Sequence, residues 1–229
     1  MKSGVNMNRI VYLLVGGPKE LIPTQFYTEI KKENNVVEKK ILVGADYGAV
    51  LLAEQGVTLD LAVGDFDTAT EAQLDLVLAN SKQAVVDPAK DDKTDLEMAL
   101  EYIIDNFEFD KIRIYGATGA RMDQFLANLF FALKPKFSEI ISKIEIIDRY
   151  NIITFYHPGQ HQLEADARFC YLAFVPLGLV AGLTLLDTKY PLAPTDFALP
   201  ISLSSNEFIK HDAHFKFDKG IVAVIQSKD

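Results

Sequence analysis

Six short apolar runs recur through the first two-thirds of the chain: Ile10–Val15, Ile41–Gly44, Leu61–Val63, Ala84–Val86, Ile112–Tyr115 and Ile144–Ile147. Most are rich in Val and Ile, and they are apolar on consecutive rather than alternate positions. A strand reads this way when both of its faces are covered, as in a parallel sheet. Between the runs lie amphipathic stretches. Leu96, Ala99, Leu100, Ile103, Ile104 and Phe107 fall at helical spacing, and Thr94-Asp95-Leu96-Glu97 ahead of them matches a capping box. Phe125, Leu126, Leu129, Phe130 and Leu133 make a second stripe, ended by Pro135. Strand–helix alternation of this kind predicts an α/β fold with a doubly wound, mostly parallel sheet.

Helical periodicity fades after about Ile147. Short β-type runs follow at Ile152–Tyr156, Phe169–Val175, Leu183–Leu186 and Ile221–Ile225, separated by turn residues. Phe215 and Phe217 before Asp218-Lys219-Gly220, with Val222 and Val224 after it, predict a terminal hairpin. The expected division is therefore an α/β domain over 1–147 and an all-β, sandwich-like domain over 148–229. Neither internal repeats nor low-complexity tracts are present.

Composition narrows the function. The 229 residues suffice for a sizeable core. The formal net charge of −9 argues against nucleic acid or a membrane surface as partner, because acidic surfaces repel phosphate backbones and anionic headgroups. No apolar run approaches the roughly 20 residues of a membrane span. Met1 to Asn8 lacks the apolar segment of a signal peptide, and either Met1 or Met7 would serve as the start. The single cysteine, Cys170, lies in an apolar run and is expected to be a buried, inert thiol. A reducing cytoplasm is the expected compartment. His157, His161, His211 and His214 form no metal motif.

The aspartates carry the chemistry. Ile41–Gly44 runs into Ala45-Asp46, Leu61–Val63 into Gly64-Asp65-Phe66-Asp67, and Ile112–Tyr115 into Gly116-Ala117-Thr118-Gly119-Ala120-Arg121-Met122-Asp123. In an open α/β sheet, ligands bind outside the carboxyl ends of the strands. A single Asp at a strand end is usually a turn former or a helix cap. Several on one edge repel one another unless a cation neutralises them. Asp65 and Asp67, projecting on one side of an extended segment, are hard oxygen donors suited to Mg²⁺. In Asp91-Asp92-Lys93-Thr94-Asp95 the bland reading is a solvated loop with a helix cap; the functional reading makes Lys93 a phosphate partner and Asp95 a further metal ligand. The Gly116–Arg121 loop would let backbone N–H groups and a forked guanidinium approach phosphates. Gly16-Gly17-Pro18 is a similar open loop, or a plain turn.

Taken together, GADYGAVLLAEQG (44–56), LDLAVGDFDT (59–68), DKTDLEMAL (92–100), GATGARMDQFLANL (116–129), TKYPL (188–192) and SSNEF (204–208) resemble the thiamine pyrophosphokinase (thiamin diphosphokinase) family, in the family's order. Tyr47, Val50, Ala120 and Asp91 depart from its usual pattern. The resemblance implies an enzyme that transfers the diphosphate of ATP to thiamine, giving AMP and thiamine diphosphate with Mg²⁺. It also implies a homodimer with sites at the subunit interface. By position, Asp65, Asp67 and Asp95 would bind the metal. Asp46, Lys93, Thr94, Thr118, Arg121, Asp123 and Gln124 would serve the nucleotide and the transfer step, with Asp46 or Asp123 taking the hydroxyl proton. Ser205, Asn206 and Tyr190 would line the thiamine pocket. Phe208 is a second aromatic candidate there, although core packing suits it better. Two alternatives stand beside this reading: a related diphosphotransferase on another hydroxymethyl heterocycle, such as a pterin, and a non-catalytic thiamine- or nucleotide-binding protein.

Overall fold

Strand β1 (Asn8–Leu14) is buried along its last five residues without alternation, and β3 (Leu61–Gly64) is buried throughout. Both faces of such strands are covered, which is why their sequences are continuously apolar. These features come from a computed structural model that describes residues 7–35, 37–86 and 93–229. By their contacts the residues form two units. The first runs to Leu129 and takes in Ile147–Arg149; the second comprises Phe130–Ile146 and Tyr150–Asp229. Strand β6 (Ile144–Ile147) thus straddles the division near residue 147.

In the first unit, β2 (Glu38–Ala45), β4 (Ala84–Val86) and β5 (Lys111–Tyr115) join β1 and β3 in the order β5-β1-β2-β3-β4. The described pairings among them are parallel, with Leu14 opposite Gly44 on one side and Tyr115 on the other. Helices α1 (Phe26–Lys31), α2 (Tyr47–Glu54), α3 (Glu71–Ala79) and α4 (Asp95–Asn106) connect successive strands, and α5 (Met122–Phe130) follows β5. The chain steps from β1 outward to β4 and then returns to the far side of β1. The order therefore reverses between β1 and β5, the place where doubly wound sheets open a crevice at their carboxyl edge. β4 is the edge strand, and Val86 is exposed there, so its apolar run is not covered as expected.

Helix α4 buries Leu96, Ala99, Leu100 and Ile103, while Ile104 stays exposed. Helix α5 ends at Phe130, short of Pro135, and leaves Leu126, Phe130 and Leu133 exposed.

The second unit contains two antiparallel sheets. One has the order β12-β9-β14-β7: β12 (Leu203–Asn206), β9 (Tyr171–Pro176), β14 (Val222–Ser227) and β7 (Asn151–Tyr156). The other has the order β11-β10-β13-β8: β11 (Leu192–Phe197), β10 (Val180–Leu185), β13 (Asp212–Phe217) and β8 (Gly159–Glu164). Burial alternates along β9, as expected of strands with one covered face. Phe174 of the first sheet and Phe215 of the second bring their ring centroids to 5.1 Å, within a shared core.

Two expectations fail here. Phe217 and Val222 do not belong to a hairpin: β13 pairs with β8 and β10, whereas β14 pairs with β7 and β9. The turn at 218–220 carries the chain between sheets, because Phe215, Phe217, Val222 and Val224 all face one core. Cys170 is exposed rather than buried. It precedes β9, beyond the reach of the core, although its parity matches that of buried Leu172.

Candidate active site

Asp46 directly follows β2 and stands at the N-cap position of α2, with φ 48° and ψ −123°, a conformation that most residues avoid. Its N–H donates to the Val63 carbonyl at 2.8 Å, which ties the end of β2 to β3. Asp65 and Asp67 flank Phe66, which is buried and left-handed at φ 54°. The pair therefore lies on a turn rather than on an extended segment, and the Asp67 N–H donates to Asp65 Oδ1 at 3.3 Å. One carboxylate oxygen each from Asp46, Asp65 and Asp67 lie within 4.8 Å of one another. Oxygens on one octahedral Mg²⁺ with bonds of about 2.1 Å are roughly 3–4 Å apart, so this donor set fits that ion.

Asp95 is the first residue of α4, which packs against β2 and β3, but it is not part of this trio. Thr94 caps the helix, its Oγ1 accepting the Glu97 N–H at 3.2 Å. Lys93 Nζ pairs with Glu101 at 2.8 Å. Asp91 and Asp92 lie outside the described residues.

In the loop after β5, Arg121 Nε and Nη2 donate to the Asp123 carboxylate, and both side chains are exposed. The Arg121 hydrogen bond holds the Asp123 carboxyl below the usual carboxylate range. Gln124 is exposed. Thr118 is buried, and its hydroxyl donates to Asp148 at 2.7 Å.

In the second unit, Tyr190 is 57% exposed. Ser205 is exposed and left-handed at φ 61°. Asn206 is buried and turned inward. Its Nδ2 donates to Thr188 Oγ1 and the Tyr190 carbonyl, while its Oδ1 accepts the N–H groups of Tyr190 and Glu207, all at 2.9–3.1 Å. Phe208 packs on the sandwich core.

Among the described residues, the non-glycine positions with left-handed φ are Asp46, Phe66, Ala120 and Ser205. Each is, or adjoins, a residue singled out from sequence. Such strain gathers at functional sites. Asp148 was passed over in sequence. Its signal was present: it follows the apolar run Ile144–Ile147 just as Asp46 and Asp65 follow theirs.

The description "Thiamin pyrophosphokinase, catalytic domain" matches residues 33–144, and "Thiamin pyrophosphokinase, vitamin B1 binding domain" matches 160–222. A thiamine pyrophosphokinase of Bacillus subtilis (strain 168) is 35% identical over 96% of this chain and 100% of its own length. A thiamin pyrophosphokinase family protein from Enterococcus faecalis superposes with a TM-score of 0.85 at 37% identity, covering 96% of this chain and 99% of that one. The thiamin pyrophosphokinase of Geobacillus thermodenitrificans gives 0.76 at 34% identity, covering 96% and 98%. The chain belongs to the thiamin pyrophosphokinase family.

Proposed function

We propose that this chain is a thiamine diphosphokinase, transferring the diphosphate of ATP to the hydroxyl of thiamine to give AMP and thiamine diphosphate. The observation that carries this reading is the convergence of Asp46, Asp65 and Asp67 at the ends of adjacent parallel strands, in a chain of this family. Transfer at the β-phosphorus needs positioning and charge neutralisation more than covalent chemistry. Asp65, Asp67 and Asp46 would hold Mg²⁺, with Asp95 a further ligand, and a bound ion would supply positive charge against the phosphates.

The other residues bind and orient. Arg121 and Lys93 exchange their carboxylate partners, Asp123 and Glu101, for phosphate oxygens. Thr94 and Gln124 contact the nucleotide, and Thr118 orders its loop. A carboxylate held low by an arginine is a weak base, and so is one bound to a metal ion; Asp123 regains basicity when Arg121 leaves it for phosphate, so it suits the hydroxyl proton better than Asp46. Thiamine is a flat cation, and the exposed ring of Tyr190 suits stacking on it. Ser205 lines the same pocket, and Asn206 serves it by holding Tyr190.

The enzyme acts in the cytoplasm as a homodimer, with Ser205 and Tyr190 of one subunit facing the carboxylate edge of the other. The exposed Met122, Leu126 and Phe130 of α5 and Leu199 and Ile201 of the second unit are apolar surface that a second copy would cover. Among the described residues no helix is long and apolar enough to cross a membrane.

Purified protein with ATP, Mg²⁺ and thiamine should form AMP rather than ADP, together with thiamine diphosphate. ATP left intact in the presence of thiamine, but consumed with a hydroxymethylpterin, would move the substrate to that class. Thiamine or nucleotide binding without turnover would make the protein a binding module. Light scattering should give twice the 25.5 kDa of the chain.

A further inference from the structure

The loop between β5 and α5 adopts a conformation that its glycines allow but that Ala120 does not favour. Gly116, Gly119 and Ala120 are all left-handed, at φ 71°, 82° and 51°. The two glycines take such φ values freely, but Ala120 is strained there and persists only with support from its surroundings. Part of that support is local: Asn128 of α5 donates to the Ala117 carbonyl at 3.0 Å, and the Gly17 N–H donates to the Gly116 carbonyl at 2.8 Å.

A further support comes from far along the chain. The buried Thr118 hydroxyl donates to the Asp148 carboxylate at 2.7 Å, across thirty residues. The next residue, Arg149, donates its N–H to the Leu21 carbonyl at 2.8 Å, at the end of the segment that follows β1. Gly119 packs on that same segment: a Cβ there would meet Leu21 Cδ1 at 2.1 Å. Residues 148 and 149 thus brace the two loops flanking the point where the strand order reverses. A buried carboxylate is costly unless hydrogen-bonded, and the Thr118 hydroxyl supplies such a bond.

We infer that Asp148 is a positioning residue for nucleotide binding: through Thr118 it holds the Gly116–Arg121 loop so that its backbone N–H groups and Arg121 face the phosphates of ATP. This rests on the function proposed above. Asp148 itself touches no substrate; it acts through Thr118.

The test uses the full chain. Asp148→Leu removes the acceptor at similar volume, and Thr118→Val removes the donor with the carboxylate left in place. Each should raise the KM for ATP about 10-fold or more, the scale of one hydrogen bond to a charged group, with the KM for thiamine within about twofold of wild type. The two changes together should cost little more than either alone. Thr118→Ser, which keeps the hydroxyl, should recover most of the loss. Hydrogen exchange gives a readout independent of activity: amides of 117–121 should exchange about 10-fold faster in both variants while β1 and β2 keep their protection. Unchanged exchange at 117–121 in a folded variant overturns the inference. If Asp148→Leu does not fold, Thr118→Val decides alone. A wild-type protein that makes no AMP from ATP and thiamine sinks the proposed function, and the exchange comparison still decides the role of Asp148.

Discussion

Gly64 lies hard against Asp46: a Cβ added to Gly64 would stand 2.9 Å from Asp46 Cα and 3.0 Å from its nitrogen. Only a residue without a side chain lets the ends of β2 and β3 approach this closely. Gly64→Ala should therefore push Asp46 away from Asp65 and Asp67. The expected result is a destabilisation of about 1–3 kcal/mol and a larger loss in activity, with the Mg²⁺ concentration for half-maximal rate raised. A Mg²⁺ titration of turnover checks this; an unchanged midpoint would separate Gly64 from the carboxylate trio.

Asp65→Asn and Asp67→Asn should each lower turnover by about 100-fold, equivalent to about 3 kcal/mol of lost charge stabilisation. Their effect on metal-free stability should have the opposite sign. Removing one of three like charges relieves repulsion, so melting in chelator should stay level or rise. Full activity in either variant would remove the metal role of that carboxylate.

Asn206 makes four hydrogen bonds in a buried setting. Asn206→Ala leaves the N–H groups of Tyr190 and Glu207 without their acceptor. The expected cost is about 2–4 kcal/mol by urea denaturation, together with a raised KM for thiamine as Tyr190 loosens. Tyr190→Phe keeps the ring and should leave that KM nearly unchanged, whereas Tyr190→Ala should raise it. Equal effects of the two changes would argue against stacking.

The His214 backbone N–H donates to Asp187 at 2.6 Å and its Nδ1 lies 2.8 Å from the same carboxylate. The backbone bond first, then the imidazole, holds the Asp187 carboxyl below the usual carboxylate range. The unfolded chain therefore takes up this proton before the folded one does. The contribution is present above about pH 4 and is lost as pH falls through the lower folded value. Urea midpoints at pH 7 and pH 3 should show a smaller acid loss for Asp187→Asn than for wild type. Parallel losses would mean that the bond contributes nothing.

Cys170 is exposed at the entrance to β9. One equivalent of thiol per chain should react with a disulfide reagent in the native protein, without denaturant. A thiol that reacts only after unfolding would place it inside an interface.

Local chemistry was legible in the sequence. The run Ile10–Val15 announced a doubly covered strand because burial on both faces requires continuous apolar side chains, and strand β1 has that burial. Thr94 announced a helix cap because capping involves residues three apart. The aspartates at strand ends were visible for the same reason: each sits where its own run of apolar residues stops. Strand partners were not legible. The residues around 218–220 look the same whether β13 and β14 pair with each other or cross between sheets, and only a shared core decides. Nor could spacing show that Asp46 rather than Asp95 stands in the trio with Asp65 and Asp67, that Asn206 turns inward, or that Thr118 meets Asp148. Those are contacts between residues far apart in the chain. Side-chain periodicity records which face a residue occupies, and the packing of one element on another sets what it meets there.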